Sequence, residues 1–360
     1  MKNKKARIIA FYLPQFHPIP ENDKWWGKGF TEWTNVGKAK ALFNGHYQPK
    51  VPADLGYYDL RVPETRESQA NLAKENGIEG FCYWHYWFGK GKQLLDRPFN
   101  EVLKSKEPNY PFCLGWANET WSGIWHGASN RILIEQEYSG KEDYTNHFNK
   151  IFPAFNDERY IRFNNKPIFV ILKPKKIPDP KAFTQYWNNL AIEKGLKGIH
   201  FIAIINSILD SNWNYADFGF NAVIMNEFPT AMESMEKGSL SNFNLRNIFR
   251  SKPHIFDYNK FTKFLIPENI SDIDKYPCLY PNWDNTPRSG NRGIVLDKSS
   301  PDFFENHFNE ALDKISKKKI EDRFIFIKSW NEWAEGNYLE PDIVSGTKYL
   351  EKIRKNILLK

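Results

Sequence analysis

Cysteine is scarce in this chain of 360 residues, which has three, at Cys82, Cys113 and Cys278. Each sits in an apolar, strand-like run and none shows CxxC or Cys/His metal spacing, so buried free thiols are expected and a disulfide framework is not. Long hydrophobic runs are also missing. The opening MKNKKARIIAFYLPQFHP is basic, but its apolar run ends at Leu13 and polar Gln15 and His17 follow, which supports neither a signal peptide nor a membrane helix. The expected location is cytoplasmic, where the sequons at Asn118 and Asn269 carry no weight. There is no internal repeat, no low-complexity linker, no P-loop and no HExxH; Gly89-Lys90-Gly91 lacks the third glycine of a dinucleotide fingerprint. Asp272-Ile273-Asp274 has the D-x-D form of a metal-holding transferase motif, but it precedes a strand candidate and so falls at the wrong end for a site. Nothing in the chain calls for a nucleotide, a metal or another cofactor.

Positive charge and aromatic rings are what the chain has in excess. The net charge is +7 and the isoelectric point about 9.0. The basic runs are dispersed over Lys2 to Lys5, Lys173 to Lys176, Lys317 to Lys319 and Lys352 to Lys360. That pattern describes a solvated surface with at most weak attraction to an anionic membrane, not a nucleic-acid groove. Aromatics make up 16% of residues, with 13 Trp and 17 Tyr. Phe is absorbed by core packing, whereas Trp and Tyr collect where an apolar face meets a polar ligand.

Short β-rich runs alternate with longer helical patterns along the whole chain, the signature of an α/β fold. The strand candidates are Arg7 to Leu13, Gly80 to Trp84, Phe112 to Trp116, Pro167 to Leu172, His200 to Ile205, Ala222 to Met225, Tyr276 to Leu279 and Phe324 to Lys328. That number matches a closed (β/α)8 barrel, expected as one catalytic domain over residues 1–360 with elaborated βα loops. Helices are predicted over Pro63 to Asn76, Leu94 to Lys104, Tyr144 to Phe155, Pro180 to Lys194, Asn259 to Leu265 and Pro301 to Lys318, several opened by proline or closed by glycine. The stretches 14–60, 117–143 and 227–256 read as long loops.

Polar and aromatic residues cluster just after the strands, and in a barrel those ends share one rim. The last strand runs into Ser329-Trp330-Asn331-Glu332-Trp333-Ala334-Glu335. If the chain turns after Trp330, Glu332 and Glu335 address one ligand, the paired carboxylates that glycoside chemistry requires. Spacing alone is weak, since Glu-x-x-Glu also opens ordinary helices; its position among Trp330, Asn331 and Trp333 strengthens it. A second constellation, Trp116, Asn118, Glu119, Trp121 and Trp125, offers rings to stack on a sugar and partners for its hydroxyls. Tyr12, Gln15, His17, Glu32, Trp33, Trp84, His85, Asn226, Glu227, Trp283, Asn285 and Arg288 complete the predicted binding rim. Asp284 is a further polar candidate. A buried aromatic core, satisfied histidines and a structural ion pair at Arg288 are the plain alternatives.

The ordered motifs Phe11 to His17, Gly29 to Trp33, Gly80 to Trp84, Trp116 to Glu119, Asp284 to Arg288 and Ser329 to Asp342 resemble the WbsX-like proteins of bacterial surface-polysaccharide clusters. Such proteins are termed glycosyltransferases and look like relatives of glycoside hydrolase family 99, a family of retaining endo-α-mannosidases and mannanases on a (β/α) barrel. The resemblance spans nearly the whole chain. It implies an oligosaccharide or lipid-linked glycan substrate, catalysis without a metal, and cleavage or transfer of glycosidic bonds in O-antigen or capsule metabolism. It further implies that Glu332 acts as base toward the sugar's own 2-hydroxyl, giving a 1,2-anhydro intermediate, and that Glu335 acts as acid and then base. Ala334 stands where the hydrolases more often carry His, and mannose specificity is not implied. A nucleotide-sugar glycosyltransferase and a noncatalytic glycan-binding protein are the alternative expectations.

Overall fold

The computed structural model describes residues 4–123, 131–237 and 252–358. Eight strands, β1 (Arg7–Tyr12), β2 (Gly80–Trp87), β3 (Phe112–Trp116), β4 (Lys166–Ile171), β5 (His200–Ile205), β6 (Ala222–Met225), β7 (Lys275–Leu279) and β8 (Phe324–Ile327), pair in parallel in that order. The ring closes because β1 pairs with both neighbours, Ile9 opposite Gly80 on β2 and Ile9 opposite Phe326 on β8. This is the expected barrel, and each strand falls within a few residues of its predicted run. β2 extends to Trp87 because Tyr86 and Trp87 pair with Leu94 and Gln93. The same pairing removes Leu94 from the helix predicted there.

Among the described residues the helices are α1 (Pro20–Trp26), α2 (Glu32–Lys38), α3 (Pro63–Glu75), α4 (Arg97–Ser105), α5 (Lys141–Phe155), α6 (Pro180–Glu193), α7 (Phe228–Lys237), α8 (Tyr258–Phe261), α9 (Thr286–Ser289), α10 (Pro301–Ile315) and α11 (Lys348–Ile357). Three of them correct the reading of long loops: α1 and α2 lie within 14–60 and α7 within 227–256. The local signals are present, since α1 has proline in its first turn and α2 opens on a capping box between Thr31 and Thr34. Only the 3-10 turn Tyr215–Phe218 separates β5 from β6. No described helix is long and apolar enough to cross a membrane.

A parallel barrel buries both faces of every strand, so strand parity decides what a residue meets. Odd residues of β4 and β5 face the helices: the Trp187 ring of α6 lies 5.1 Å from Phe169 and 6.4 Å from Phe201. Tyr12 and His85 also face outward, toward Gln69 of α3 and His147 of α5. Their neighbours Phe11, Trp84 and Tyr86 therefore face the barrel interior. There Phe11 stacks on Trp84 at 4.5 Å and leans on Phe326 at 5.7 Å, filling the barrel with rings.

Trp187 is fully buried at the α5–α6–barrel junction. Trp187→Ala is expected to lower stability by about 3–5 kcal/mol, measured by urea denaturation.

Candidate active site

Beyond β8 the chain is fixed by backbone bonds before it reaches the carboxylates. Trp330 N–H donates to Phe11 O at 2.7 Å. The Asn331 amide accepts from Leu13 N at 2.7 Å and donates to Leu13 O at 3.0 Å, clamping the ends of β8 and β1 together. The Lys328–Ser329 peptide is cis. Asn331–Glu332 then pairs antiparallel with Asn337–Tyr338, with a 3-10 turn at Trp333–Glu335 between them. Gly336 closes that turn at φ 56°, where an added Cβ would stand 2.8 Å from Asp284 N. This turn brings Glu332 and Glu335 to the same side at the barrel mouth.

Both carboxylates are enclosed by charge. Glu332 Oε1 accepts from Trp84 Nε1 at 3.0 Å. Glu335 Oε1 accepts from Arg288 Nη1 at 2.6 Å, and Arg288 also binds Glu32 Oε1 at 2.8 Å. Lys328 Nζ lies 3.9 Å from Glu332 Oε2 and 3.9 Å from Glu335 Oε2. Burial pushes the Glu332 carboxyl up to about 7; Lys328 opposes this, while the charge of Glu335 and a hydrogen bond with it add to the rise. Burial acts upward on Glu335 as well, but Arg288 and then Lys328 outweigh it and hold Glu335 below the usual carboxylate range. The surroundings of the unliganded pair thus push its two carboxyls in opposite directions, Glu332 up and Glu335 down.

The structure brings Glu32, Trp84, Trp283, Arg288, Glu332 and Glu335 together. Trp283 lies under Lys328, whose ammonium is 5.3 Å from the ring centroid. Trp121 stands beside them, 5.1 Å from Tyr86 and 6.1 Å from Trp25, as part of an aromatic wall.

Other predicted rim residues are engaged elsewhere. Tyr12 donates to Gln69 at 2.7 Å on the outer face of the barrel. His85 pairs with His147 at 2.8 Å, also outside, with burial pushing it down to about 3. Trp116 donates to Trp87 O and packs against Phe183. Asn118 clamps Lys173 through both N and O, repeating the Asn331 device between the ends of β3 and β4. Glu119 is half-exposed at 3.5 Å from Lys173. Glu227 is buried and accepts from Ser207 and Thr230, and Asn226 accepts from Tyr280. Asn285 accepts from Ile294 N, and the Gln15 carbonyl accepts from Glu32 N. His17 is bonded to Pro14 O, and burial lowers its proton affinity. Trp33 donates to Tyr58 O and Trp333 to Glu340; Trp330 is fully buried against Phe81. Most of these residues face outward or spend their polar atoms on the frame, while His17 Nε2 is buried without a hydrogen-bond partner. Trp125 lies outside the described residues.

Three inward residues at the pair escaped the sequence reading: Lys328, Tyr86 and Tyr280. The charges of Glu332 and Glu335 bear on both tyrosines, whose hydroxyls burial holds well above their usual range. The missed signal was parity, since Trp84 and Tyr86 share a face of β2, as do Phe326 and Lys328 on the line of β8. A buried acid also went unread. Glu340 accepts from Trp333 at 2.6 Å, Gln69 at 2.6 Å and Tyr58 at 2.9 Å, and burial raises it to about 7. Among the described residues no cluster of three or more His, Cys, Asp or Glu is arranged to hold a metal ion.

With the geometry in place, comparison with known proteins gives three findings. The family profile described as Glycosyltransferase WbsX matches residues 8–353. The chain is 36% identical over 351 residues to the uncharacterized protein WxcX of Xanthomonas campestris pv. campestris strain B100, covering 97% of this chain and 49% of that protein. The chain therefore spans about half the length of the curated relatives it matches. Among solved structures, a glycoside hydrolase-like protein superposes with a TM-score of 0.64 at 13% identity, covering 99% of this chain and 95% of the other. The GH99 endo-alpha-mannosidase of Bacteroides thetaiotaomicron, in complex with bis-tris-propane, gives 0.59 at 14% identity, covering 97% and 95%. At such identity these structures establish the likeness of the barrel.

Two outcomes follow from the geometry. Gly336→Ala places a side chain on a left-handed residue against the Asp284 backbone, and is expected to lower stability by about 1–3 kcal/mol in chemical denaturation. For Glu340, the unfolded chain releases its proton near 4.5 and the folded one near 7. Stability should therefore fall as pH rises through that window and level off above it, and Glu340→Gln should show a shallower slope there in pH-dependent denaturation.

Proposed function

The chain belongs to the WbsX glycosyltransferase family, and we propose that it cleaves or transfers glycosidic bonds with Glu332 and Glu335 as its acid–base pair. The observation that carries this reading is the pair itself: two buried carboxyls at the C-terminal mouth of a barrel, pushed in opposite directions by their surroundings. Acid and base assignments in glycoside chemistry rest on such a separation. The substrate class is an oligosaccharide or lipid-linked glycan of the cell surface, supported by the family match and by the aromatic wall of Tyr86, Trp121 and Trp25.

The opposite directions in which the two carboxyls are pushed favour an order of proton movements in which Glu332 starts as the acid. Glu332 gives its proton to the leaving glycosidic oxygen as the anomeric C–O bond breaks. The sugar's 2-hydroxyl bonds to the anomeric carbon, and its proton passes to Glu335. The carboxyls have then exchanged states, and a 1,2-anhydro sugar remains. In the second half an acceptor hydroxyl attacks the same carbon and gives its proton to Glu332, while Glu335 returns a proton to the 2-oxygen. Two displacements retain the anomeric configuration. Water as acceptor makes the reaction hydrolysis and a sugar hydroxyl makes it transfer, so one site accommodates both the family's description as glycosyltransferases and the likeness of its fold to glycoside hydrolases.

A nucleotide-sugar glycosyltransferase is the second reading, favoured by the family's description. Calorimetric titration with UDP- and GDP-sugars separates the two, because the first reading expects no saturable binding of the nucleotide alone.

Glu332→Gln and Glu335→Gln should each lower turnover of the host glycan by roughly 10²–10⁴-fold while the fold is kept. With 2,4-dinitrophenyl glycosides, whose leaving group needs no acid, Glu332→Gln should recover activity and Glu335→Gln should not. The opposite pattern assigns the roles implied by the family resemblance, and full activity of either variant on the glycan sinks the reading.

A further inference from the structure

Lys328 occupies a position that the carboxylate pair alone does not explain. It follows Phe324 and Phe326 on the inward face of the β8 line, and its backbone N–H is tied to Leu279 O at 2.9 Å. The side chain runs across the Trp283 ring and ends between the two carboxylates. The ammonium makes no hydrogen bond among the described residues. Its contacts with Glu332 and Glu335 are ion pairs at 3.9 Å, longer than a hydrogen bond. Three N–H donors are thus left without acceptors in a side chain that is 23% exposed toward the mouth. An oxygen about 2.8 Å from the ammonium and from a carboxylate closes that triangle.

The charge count points the same way. Arg288 is shared between Glu32 and Glu335, so the Glu32 carboxylate cancels its charge. Lys328 then faces Glu332 and Glu335 as the remaining cation and balances one ionised carboxylate of the two. An apolar mouth in which both were ionised without it would hold uncompensated buried charge.

Resting on the carbohydrate-active reading above, we propose that Lys328 is a third catalytic residue, whose ammonium balances one charge of the Glu332/Glu335 pair and hydrogen-bonds the substrate oxygen lodged between them. The step it assists moves one proton between Glu332 and that oxygen while the ammonium keeps its own protons, so no co-reactant is needed. A donor aimed at an oxygen that gains negative charge favours the transition state over the bound sugar. The groups facing this centre are Glu32 on α2, Tyr86 on β2, Cys278 on β7, Tyr280 beyond it and Arg288 on α9.

The test combines a substrate-free titration with kinetics. Carboxyl resonances of protein labelled with 13C-glutamate, assigned through Glu332→Gln, are followed against pH in wild type, Lys328→Met and Lys328→Arg. The Met variant should bind the Glu332 proton at least tenfold more tightly, moving its midpoint up by one pH unit or more, and Arg should restore most of the wild-type midpoint. In turnover of the host glycan, whose leaving group needs the acid, Lys328→Met should lower kcat more than it raises KM and shift the pH profile upward. An unchanged midpoint in a folded Lys328→Met protein overturns the proposal, as does an unchanged pH profile in a background where Glu335→Gln is inactive. If Glu335→Gln is active while the midpoint moves, the function reading fails and the charge balance stands.

Discussion

Buried charge has to be neutralised where it lies, and at the mouth of this barrel that requirement holds four chain segments in register. Arg288 reaches Glu32 on α2 and Glu335 on the turn after β8. Its own loop is set by Asp284, which contacts His46 and Gln48 through one oxygen and Thr286 through the other, and whose N–H donates to Glu335 O at 2.7 Å. Burial disfavours the Asp284 charge, but the His46 and Thr286 bonds and the nearby Lys50 charge outweigh it. Loops far apart in sequence therefore meet because each carries one part of a charge set that is stable only when complete.

The scaffold beneath is built from neutral contacts. Asn331 and Asn118 each read both polar groups of one residue on a neighbouring strand, replacing ladder bonds lost where the strands end. Glu340 gathers an indole, an amide and a phenol from separate segments, so the Trp333 ring, which lies between Glu332 and Glu335 in sequence, is held from behind. Function and support are thus divided by residue type: cations meet the pair, whereas amides and hydroxyls hold the frame.

The barrel was legible in the sequence because buried parallel strands are short apolar runs, and helices opened by proline or a capping residue punctuate them. The Glu332/Glu335 pair was legible from its place after the last strand. What was not legible was orientation. Phe11 and Tyr12, or Trp84 and His85, are equally aromatic, so composition gave no sign that one of each pair lines the interior while the other meets a helix. Lys328 went unread for a related reason, since a single lysine at a strand end resembles a solvated terminus. The role of Asn118 was hidden because a carboxamide that clamps backbone and one that binds a hydroxyl are the same residue in sequence. Helices α1, α2 and α7 were missed where long stretches rich in Trp, Asn and Gly masked short capped segments.

The stacked rings of Phe11 and Trp84, backed by Phe326, have a consequence for traffic. With the interior occupied below Glu332, a chain-like ligand has no passage through the molecule and must lie across the end of the barrel. Arrival and departure would share one doorway, so a bound ligand would have to leave before the next could enter. Whether a chain-like ligand would be engaged at its tip or in mid-chain is then a matter of how far the segment after β1 walls off one side of that doorway.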